Sequence, residues 1–320
     1  MAHKTVLIGG FGFIGRNILE ALHGDAFAAL EPVVIDDLSN APPGHEATGV
    51  KAHIGPYQSG AASEFLSILG KGPRTFIFLA GETRVAESKD RPMDFIAANI
   101  AEPSRFVLEN VREGDHFILI STAGALFDGS FEVRVSSAYC PKNFYGATKA
   151  AEEMILEKLV TMRGGDFSVV RMTNVFGRYS ERKKSAIHAF TRAAITGDSV
   201  TINGDGKQTR DFIYAGDVAR GIATLAERAR RGEPTDRINM LGSGQSIALM
   251  DVVTAIEKAA GHPLSCKQIA ASELLATEPR DVIASPDDVR VLLGDNFTPF
   301  EDGIEETYNY YSSTPPRASV

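Results

Sequence analysis

Apolar runs recur along the chain at 5–8, 33–35, 75–79, 116–120 and 168–170, and the stretches between them carry helical periodicity. Strands alternating with helical segments predict a parallel sheet, because parallel neighbours need a crossover that a helix supplies. Helices are expected at 61–69, 94–111 and 144–162. The last is marked by its spaced apolar positions and by Gly164-Gly165 as a stop. These elements predict an α/β domain with a doubly wound parallel sheet.

Beyond Arg171 the pattern loosens. Turn signals at Gly177, Gly197-Asp198 and Gly204-Asp205-Gly206 frame one expected helix at 185–195, and a second, smaller lobe begins there. Residues 217–230 read as a helix returning to the first lobe and 237–240 as a short strand beside it, before 248–261 opens the C-terminal helices. The two lobes are therefore interleaved in sequence. Thr314-Pro315-Pro316-Arg317 has the composition of a frayed end, and no internal repeat or low-complexity segment is visible.

Between the first strand and an amphipathic helix with Ile14, Ile18, Leu19 and Leu22 on one face lies Leu7-Ile8-Gly9-Gly10-Phe11-Gly12-Phe13-Ile14-Gly15. This is the setting of a dinucleotide-binding turn. Gly9 permits the tight turn, Gly12 lets the backbone approach a pyrophosphate, and Gly15 allows close helix packing, with the helix N-terminal amides toward the phosphates. Val33-Val34-Ile35 ends in Asp36, whose carboxylate accepts from both ribose hydroxyls and repels a 2′-phosphate, so NAD is expected rather than NADP. Asp37 adds negative charge. Arg16 serves a phosphate or is simply solvated.

The chain has 320 residues, enough for one large or two modest domains, and its apolar fraction of 43% is that of a soluble globular protein. No apolar run approaches the about 20 residues that span a bilayer, and Met1-Ala2-His3-Lys4 leads into a strand without an apolar signal segment, so a cytoplasmic protein with no membrane partner is expected. Cys140 and Cys266 have no metal-ligand spacing and are expected to be buried, inert thiols; no metal is called for. The net charge of -8 argues against a nucleic-acid partner. Positive charge does gather at Arg178, Arg182, Lys183 and Lys184, and at Lys207 and Arg210, either to hold a phosphate-bearing ligand or as a solvated face.

Tyr145 and Lys149 stand four apart in Asn143-Phe144-Tyr145-Gly146-Ala147-Thr148-Lys149, so they share one helix face and can form an acid/base pair. A nearby ammonium and the positive nicotinamide of NAD both draw a tyrosine pKa toward the working pH. The pair follows a strand ending in Ser121-Thr122.

With these residues the chain resembles the NAD-dependent epimerase/dehydratase family, the extended short-chain dehydrogenases that act on nucleotide sugars, over nearly its whole length. Beside the glycines, Asp36, Tyr145 and Lys149, the resemblance rests on Leu79-Ala80-Gly81, Asn99 and Ser121-Thr122-Ala123-Gly124-Ala125. It extends to Val170-Arg171-Met172-Thr173-Asn174-Val175-Phe176-Gly177 and Gly204-Asp205-Gly206-Lys207-Gln208-Thr209-Arg210-Asp211-Phe212-Ile213-Tyr214. It implies a Rossmann domain over 1–174 with 209–247 that binds NAD through Gly9, Gly12, Phe13, Ile14, Gly15, Asp36, Asp37, Leu38, Ser39, Leu79, Ala80, Gly81, Asn99, Tyr145 and Lys149. A smaller C-terminal α/β lobe, 175–208 with 248–320, would bind the nucleotide-sugar substrate. There Asn174 and Arg210 would contact the diphosphate, and Asp217 would belong to the following helix.

The activity implied is epimerisation, with C4 of a UDP-hexose or UDP-N-acetylhexosamine as the leading case. Tyr145 removes a sugar-hydroxyl proton while the attached carbon gives hydride to NAD, and the keto-sugar turns over and takes hydride back on its other face. Lys149 tunes Tyr145 and holds the nicotinamide ribose; Thr122, or else Ser121, hydrogen-bonds the reacting hydroxyl. A third hydroxyl found in some members is here Ala123. The 4,6-dehydratases of the family carry an Asp-Glu pair where this chain has Ala123 and Gly124, which removes the acid and base that elimination needs. A 4-ketoreductase or dehydratase acting on a nucleotide-deoxysugar is the alternative, and a catalytically silent NAD-binding scaffold or sensor is the other.

Two departures bear on recognition. No aspartate follows the third strand at Ala52-His53-Ile54-Gly55-Pro56 to contact adenine, and Glu278-Pro279-Arg280-Asp281 offers Arg280 only from a shifted position, as a substrate contact or a surface arginine. The helices at 94–111 and 144–162 carry more apolar positions than one sheet face requires, and the family pairs them across a two-fold axis, which implies a homodimer; packing within one chain is the competing explanation.

Overall fold

Seven parallel strands make the centre of the molecule in a computed structural model that describes residues 3–127, 131–183, 185–269 and 282–313. They are β1 (Lys4–Ile8), β2 (Pro32–Asp36), β3 (Lys51–Ile54), β4 (Arg74–Phe78), β5 (His116–Thr122), β6 (Asp166–Met172) and β7 (Ile238–Leu241). Their order across the sheet is β7-β6-β5-β4-β1-β2-β3. The order reverses between β1 and β4, and in such sheets a ligand binds outside the carboxyl ends of the strands at that switch.

Period-two alternation divides the core between the two faces. Leu7, Val34, Ile77, Ile118 and Val170 pack on one face against the helices Phe13–Leu22 and Ala215–Arg230, through Ile18, Leu19, Leu22, Ile222 and Leu225. Val6, Ile8, Val33, Ile35, Phe76, Phe78, Phe117 and Leu119 face the other way onto Phe106, Val107, Leu156 and Val160 of the helices Glu102–Asn110 and Phe144–Met162. Covered on both sides, the inner strands can be apolar throughout.

The helix expected at 94–111 is interrupted. It runs Pro92–Ile96, then a π-helical turn Ala97–Ala101, then Glu102–Asn110. Pro103 has no amide hydrogen to return to the carbonyl of Asn99, which favours a wider turn at this point.

The smaller lobe has its own core, in which Phe176, Ile187, Phe190, Ile202, Tyr214, Ile247, Val252, Ile256 and Ile304 are buried together. Two short strand pairs tie it to the first lobe: Asn174–Phe176 with Phe212–Tyr214, and Thr209–Arg210 with Ile247–Ala248. The two cysteines contradict the expectation of burial, since both are exposed. Cys140 lies in irregular chain before the Phe144–Met162 helix, and Cys266 on a strand exposed along its whole length. Among the described residues no helix is long and apolar enough to cross a membrane. The tail from Thr314 lies outside the described residues.

Candidate active site

The glycine turn sits at the carboxyl end of β1. Gly9 has φ 80°, the left-handed region that side chains avoid, and a Cβ on Gly15 would stand 2.3 Å from the carbonyl oxygen of Gly10, so the helix can approach only without one. A Cβ on Gly12 would meet only the Gly9 carbonyl, at 3.4 Å, with open space beyond. Phe13 and Ile14 begin the helix behind it, and no acidic side chain occupies its first turn, so its N-terminal amides face an anion-ready opening.

Asp36 closes β2 beside this turn. Its carboxylate is buried and held by two backbone amides: Phe11 N donates to Oδ2 at 2.8 Å and Leu38 N to Oδ1 at 2.7 Å. Burial raises its pKa, and those two hydrogen bonds oppose the rise. Leu38 takes φ 63°, a strained conformation for a branched side chain that sends the chain sharply away from Asp36. Asp37 is turned into its own loop, accepting from Ser39 N at 2.9 Å. Arg16 is not simply solvated: it is 8% exposed and stacks 4.5 Å from the centre of the Tyr179 ring.

At the end of β4, Leu79 N donates to Ile8 O, so the Leu79-Ala80-Gly81 turn runs alongside the glycine turn. Asn99, fully buried and carried inward on the π-helical turn, accepts from Glu82 N at 2.8 Å and donates to Glu82 O at 3.1 Å and Thr148 Oγ1 at 3.2 Å. One side chain thus clamps the β4 turn to the helix that carries Tyr145.

That helix is capped by Asn143, whose side chain accepts from Gly146 N at 2.8 Å, so Tyr145 and Lys149 lie within its first two turns beside the end of β5. Both are buried. The two hydroxyls at the end of β5 face different partners: Thr122 lies beside Tyr145, where it draws the phenol's pKa down, whereas Ser121 Oγ donates to Glu153 Oε1 at 2.5 Å. Thr122 is therefore the hydroxyl beside the tyrosine, and Ser121 is committed to the interior. Lys149 Nζ donates to Ile120 O at 3.0 Å and pairs with Glu152. In the chain by itself burial pushes the Tyr145 phenol up, outweighing the downward pull of Lys149 and Thr122; the sequence pair led to the opposite direction because it carries no information on desolvation. Burial opposes the Lys149 ammonium too, yet Glu152 and Tyr145 hold its pKa above the ordinary lysine value.

Three buried carboxylates that bond candidate site residues had no role in the sequence reading. Glu152 and Glu153 stand three and four residues beyond Lys149, the helical spacing of a shared face, and that spacing was the available signal. Asp211 lay within a recognised segment. Its carboxylate gathers Thr173, Ser243, Gly244 N and Ala284 N, and its backbone carbonyl accepts from Asn174 Nδ2 at 3.0 Å. Asn174 begins a strand that pairs with Phe212–Tyr214, and Arg210 ends the strand Thr209–Arg210, its Nη1 donating to Thr209 O at 2.8 Å. Asp217, in the first turn of the Ala215–Arg230 helix, accepts from Thr298 N and Oγ1. Of the basic group at 178–184, Arg178 pairs with Glu20 at 2.7 Å, Arg182 reaches Ser39 O at 3.2 Å and Lys183 Nζ lies 5.9 Å from the centre of the Phe13 ring. Lys184 and Arg280 lie outside the described residues.

The family model for the NAD dependent epimerase/dehydratase family matches residues 5–240. The chain belongs to this family. The curated relatives include an uncharacterized UDP-glucose epimerase, YtcB, of Bacillus subtilis (strain 168), 26% identical with 97% of this chain and 98% of that protein covered. A probable UDP-glucuronate 4-epimerase of Rhizobium meliloti (strain 1021) is 25% identical over 98% of both chains. Among solved structures, the Thermus thermophilus UDP-glucose 4-epimerase in complex with NAD superposes with a TM-score of 0.82 at 21% identity, over 96% of this chain and 98% of that one, which shows the fold. As an epimerase/dehydratase family member the protein is an NAD-dependent enzyme of the extended short-chain dehydrogenase type. The open face of Gly12, the amide-braced Asp36 and the helix N-terminus between them fit that cofactor.

Proposed function

We propose that the enzyme interconverts the C4 configuration of a UDP-hexose or UDP-N-acetylhexosamine through a transient 4-keto sugar. The observation that carries this reading is the placement of Thr122 against the buried Tyr145, with Lys149 one helical turn away, at the strand ends beside the glycine turn. NAD, held at the glycine turn and by Asp36, would supply a reversible hydride acceptor. The rest falls to this chain's residues. Tyr145 removes the proton of the C4 hydroxyl and gives it back, Lys149 favours the phenolate by its charge, and Thr122 holds the sugar oxygen. Asn174 and Arg210 would take the diphosphate, with Asp36 on the adenosine ribose.

Epimerisation is preferred to 4,6-dehydration because Ala123 and Gly124 stand where elimination needs an acid and a base, and Ala123 is fully buried. The reading assigns 1–174 with 209–247 to NAD and 175–208 with 248–320 to the nucleotide sugar. It also includes a homodimer. Leu108 of the Glu102–Asn110 helix and Met154, Ile155 and Met162 of the Phe144–Met162 helix are exposed, Met162 to 76%, and a second copy would cover them.

The test is to incubate the purified protein, without added cofactor, with UDP-glucose, UDP-N-acetylglucosamine, UDP-glucuronate and dTDP-glucose, and follow the sugar protons by NMR. The C4 epimer of one of them is expected. No change until NADPH is supplied, followed by its stoichiometric consumption, or a deoxy product, would replace epimerisation by ketoreduction or dehydration.

A further inference from the structure

Two glutamates lie side by side on the Phe144–Met162 helix, both buried, and their surroundings differ. Glu153 is fully satisfied: Arg171, Ser121 and Tyr139 all donate to it. Glu152 is completely buried, and apart from its ion pair with Lys149 neither of its oxygens has a partner among the described residues. Lys149 is itself 5% exposed. A carboxylate withdrawn from water with a single partner is costly to the fold, so its presence against this lysine calls for a role.

We infer that Glu152 is a positioning residue for the acid/base pair: by taking the Lys149 ammonium as its partner, it fixes where that charge sits and sets how much positive charge Tyr145 experiences. The inference rests on the reading of Tyr145 and Lys149 as acid and tuner given above. With Glu152 ionised, the lysine charge is largely cancelled at the phenol; with Glu152 neutral, the ammonium acts on Tyr145 in full. The groups facing Glu152 are Lys149, Tyr145 and Glu153 on its own helix, and Tyr57 from the segment after β3, which Glu102 also adjoins. Arg171 on β6 neutralises Glu153, which leaves Lys149 as the cation that answers Glu152. Burial pushes the Glu152 carboxyl up to about 7 against the pull of Lys149, so this exchange falls near neutral pH.

The test is a titration that needs no sugar substrate. Tyrosinate absorbance of the NAD-loaded protein is followed against pH, and the signal of the Tyr145→Phe variant is subtracted to isolate Tyr145. The same subtraction is made in the Glu152→Gln background, with Glu152→Leu as a second neutral replacement should the amide fail to fold. The midpoint of Tyr145 is expected to fall by about one pH unit when Glu152 is neutralised, the size of effect that a charge close to a titrating group produces. Glu152→Asp, which keeps the charge, should restore most of the wild-type midpoint. An unchanged midpoint in the neutral variants overturns the inference, and so does a midpoint that rises. Failure of the epimerase reading would show separately, as absence of the C4 epimer while the Tyr145 midpoint still moves.

Discussion

Replacing Glu153 by leucine removes a carboxylate of similar size from a densely bonded polar group in the core. Arg171 is 1% exposed; its Nη2 donates to Glu153 Oε2 at 2.8 Å and its Nε at 3.1 Å, while Tyr139 Oη donates to the same oxygen at 2.7 Å. Without Glu153 the guanidinium keeps Val135 O at 3.3 Å, Tyr139 Oη at 2.9 Å and the flanking rings of Phe127 and Tyr139, none of which carries a compensating charge. Stranding one member of a buried pair costs about 3–5 kcal/mol. For 320 residues, at roughly 2.1 cal/mol/K of unfolding entropy per residue, about 4 kcal/mol lowers Tm by about 6 °C. The assay is calorimetric melting of wild type, Glu153→Leu and the double variant Glu153→Leu/Arg171→Met at equal protein and saturating NAD, since ligand occupancy shifts Tm by itself. The double variant should recover most of the loss, because a buried pair replaced by apolar side chains of similar volume is near neutral. A single variant melting within about 1 °C of wild type would refute the argument, as would a double variant no more stable than the single.

Tyr145→Phe should lower kcat by about 100- to 10,000-fold while NAD binding, followed by calorimetry, changes little; turnover within threefold of wild type would show that the base lies elsewhere. Asp36→Ala removes an acceptor braced toward the ribose and should weaken NAD about 10- to 100-fold while narrowing the preference over NADP; equal loss for both cofactors would contradict the role given to its charge. A Cβ at Gly146 would stand 2.0 Å from Ala125 O, so Gly146→Ala should cost about 1–3 kcal/mol in a melt despite its better helix propensity; a stabilised variant would mean that the helix is free to shift. Burial pushes the His188 imidazole down to about 4 from its ordinary 6.5, and its ring nitrogens have no partner among the described residues. The folded state therefore binds fewer protons than the unfolded one in that range, and stability is lost as pH falls from 6.5 toward 4, by about 2 kcal/mol at pH 5. Urea midpoints at pH 7 and 5 should differ less in His188→Phe than in wild type, and an equal difference in both would place the acid sensitivity elsewhere, His116 being the next candidate.

The strands, the glycine turn and the Tyr145–Lys149 helix were legible because their signals are local. Strand burial shows in a run of five residues, a left-handed turn in a glycine, and a shared helix face in a spacing of four. The break in the helix at Ala97–Ala101 was less visible, since Pro103 is tolerated near a helix start and only the clamp that Asn99 makes between Glu82 and Thr148 gives the wider turn a purpose. The exposure of Cys140 and Cys266 and the pairing of Arg178 with Glu20 depend on which segments lie against one another, which residue type alone does not state.

Sequence alone therefore determined the sheet, the cofactor turn and the pair of residues that would do the chemistry, because each is written in residues near one another along the chain. Tertiary structure decided the rest. It gave Thr122 to Tyr145 and Ser121 to Glu153, and it set Glu152 against Lys149 with both charges buried. Proton affinities and hydroxyl orientation follow from desolvation and from contacts between distant segments, and those exist only once the helix has docked on the strand ends.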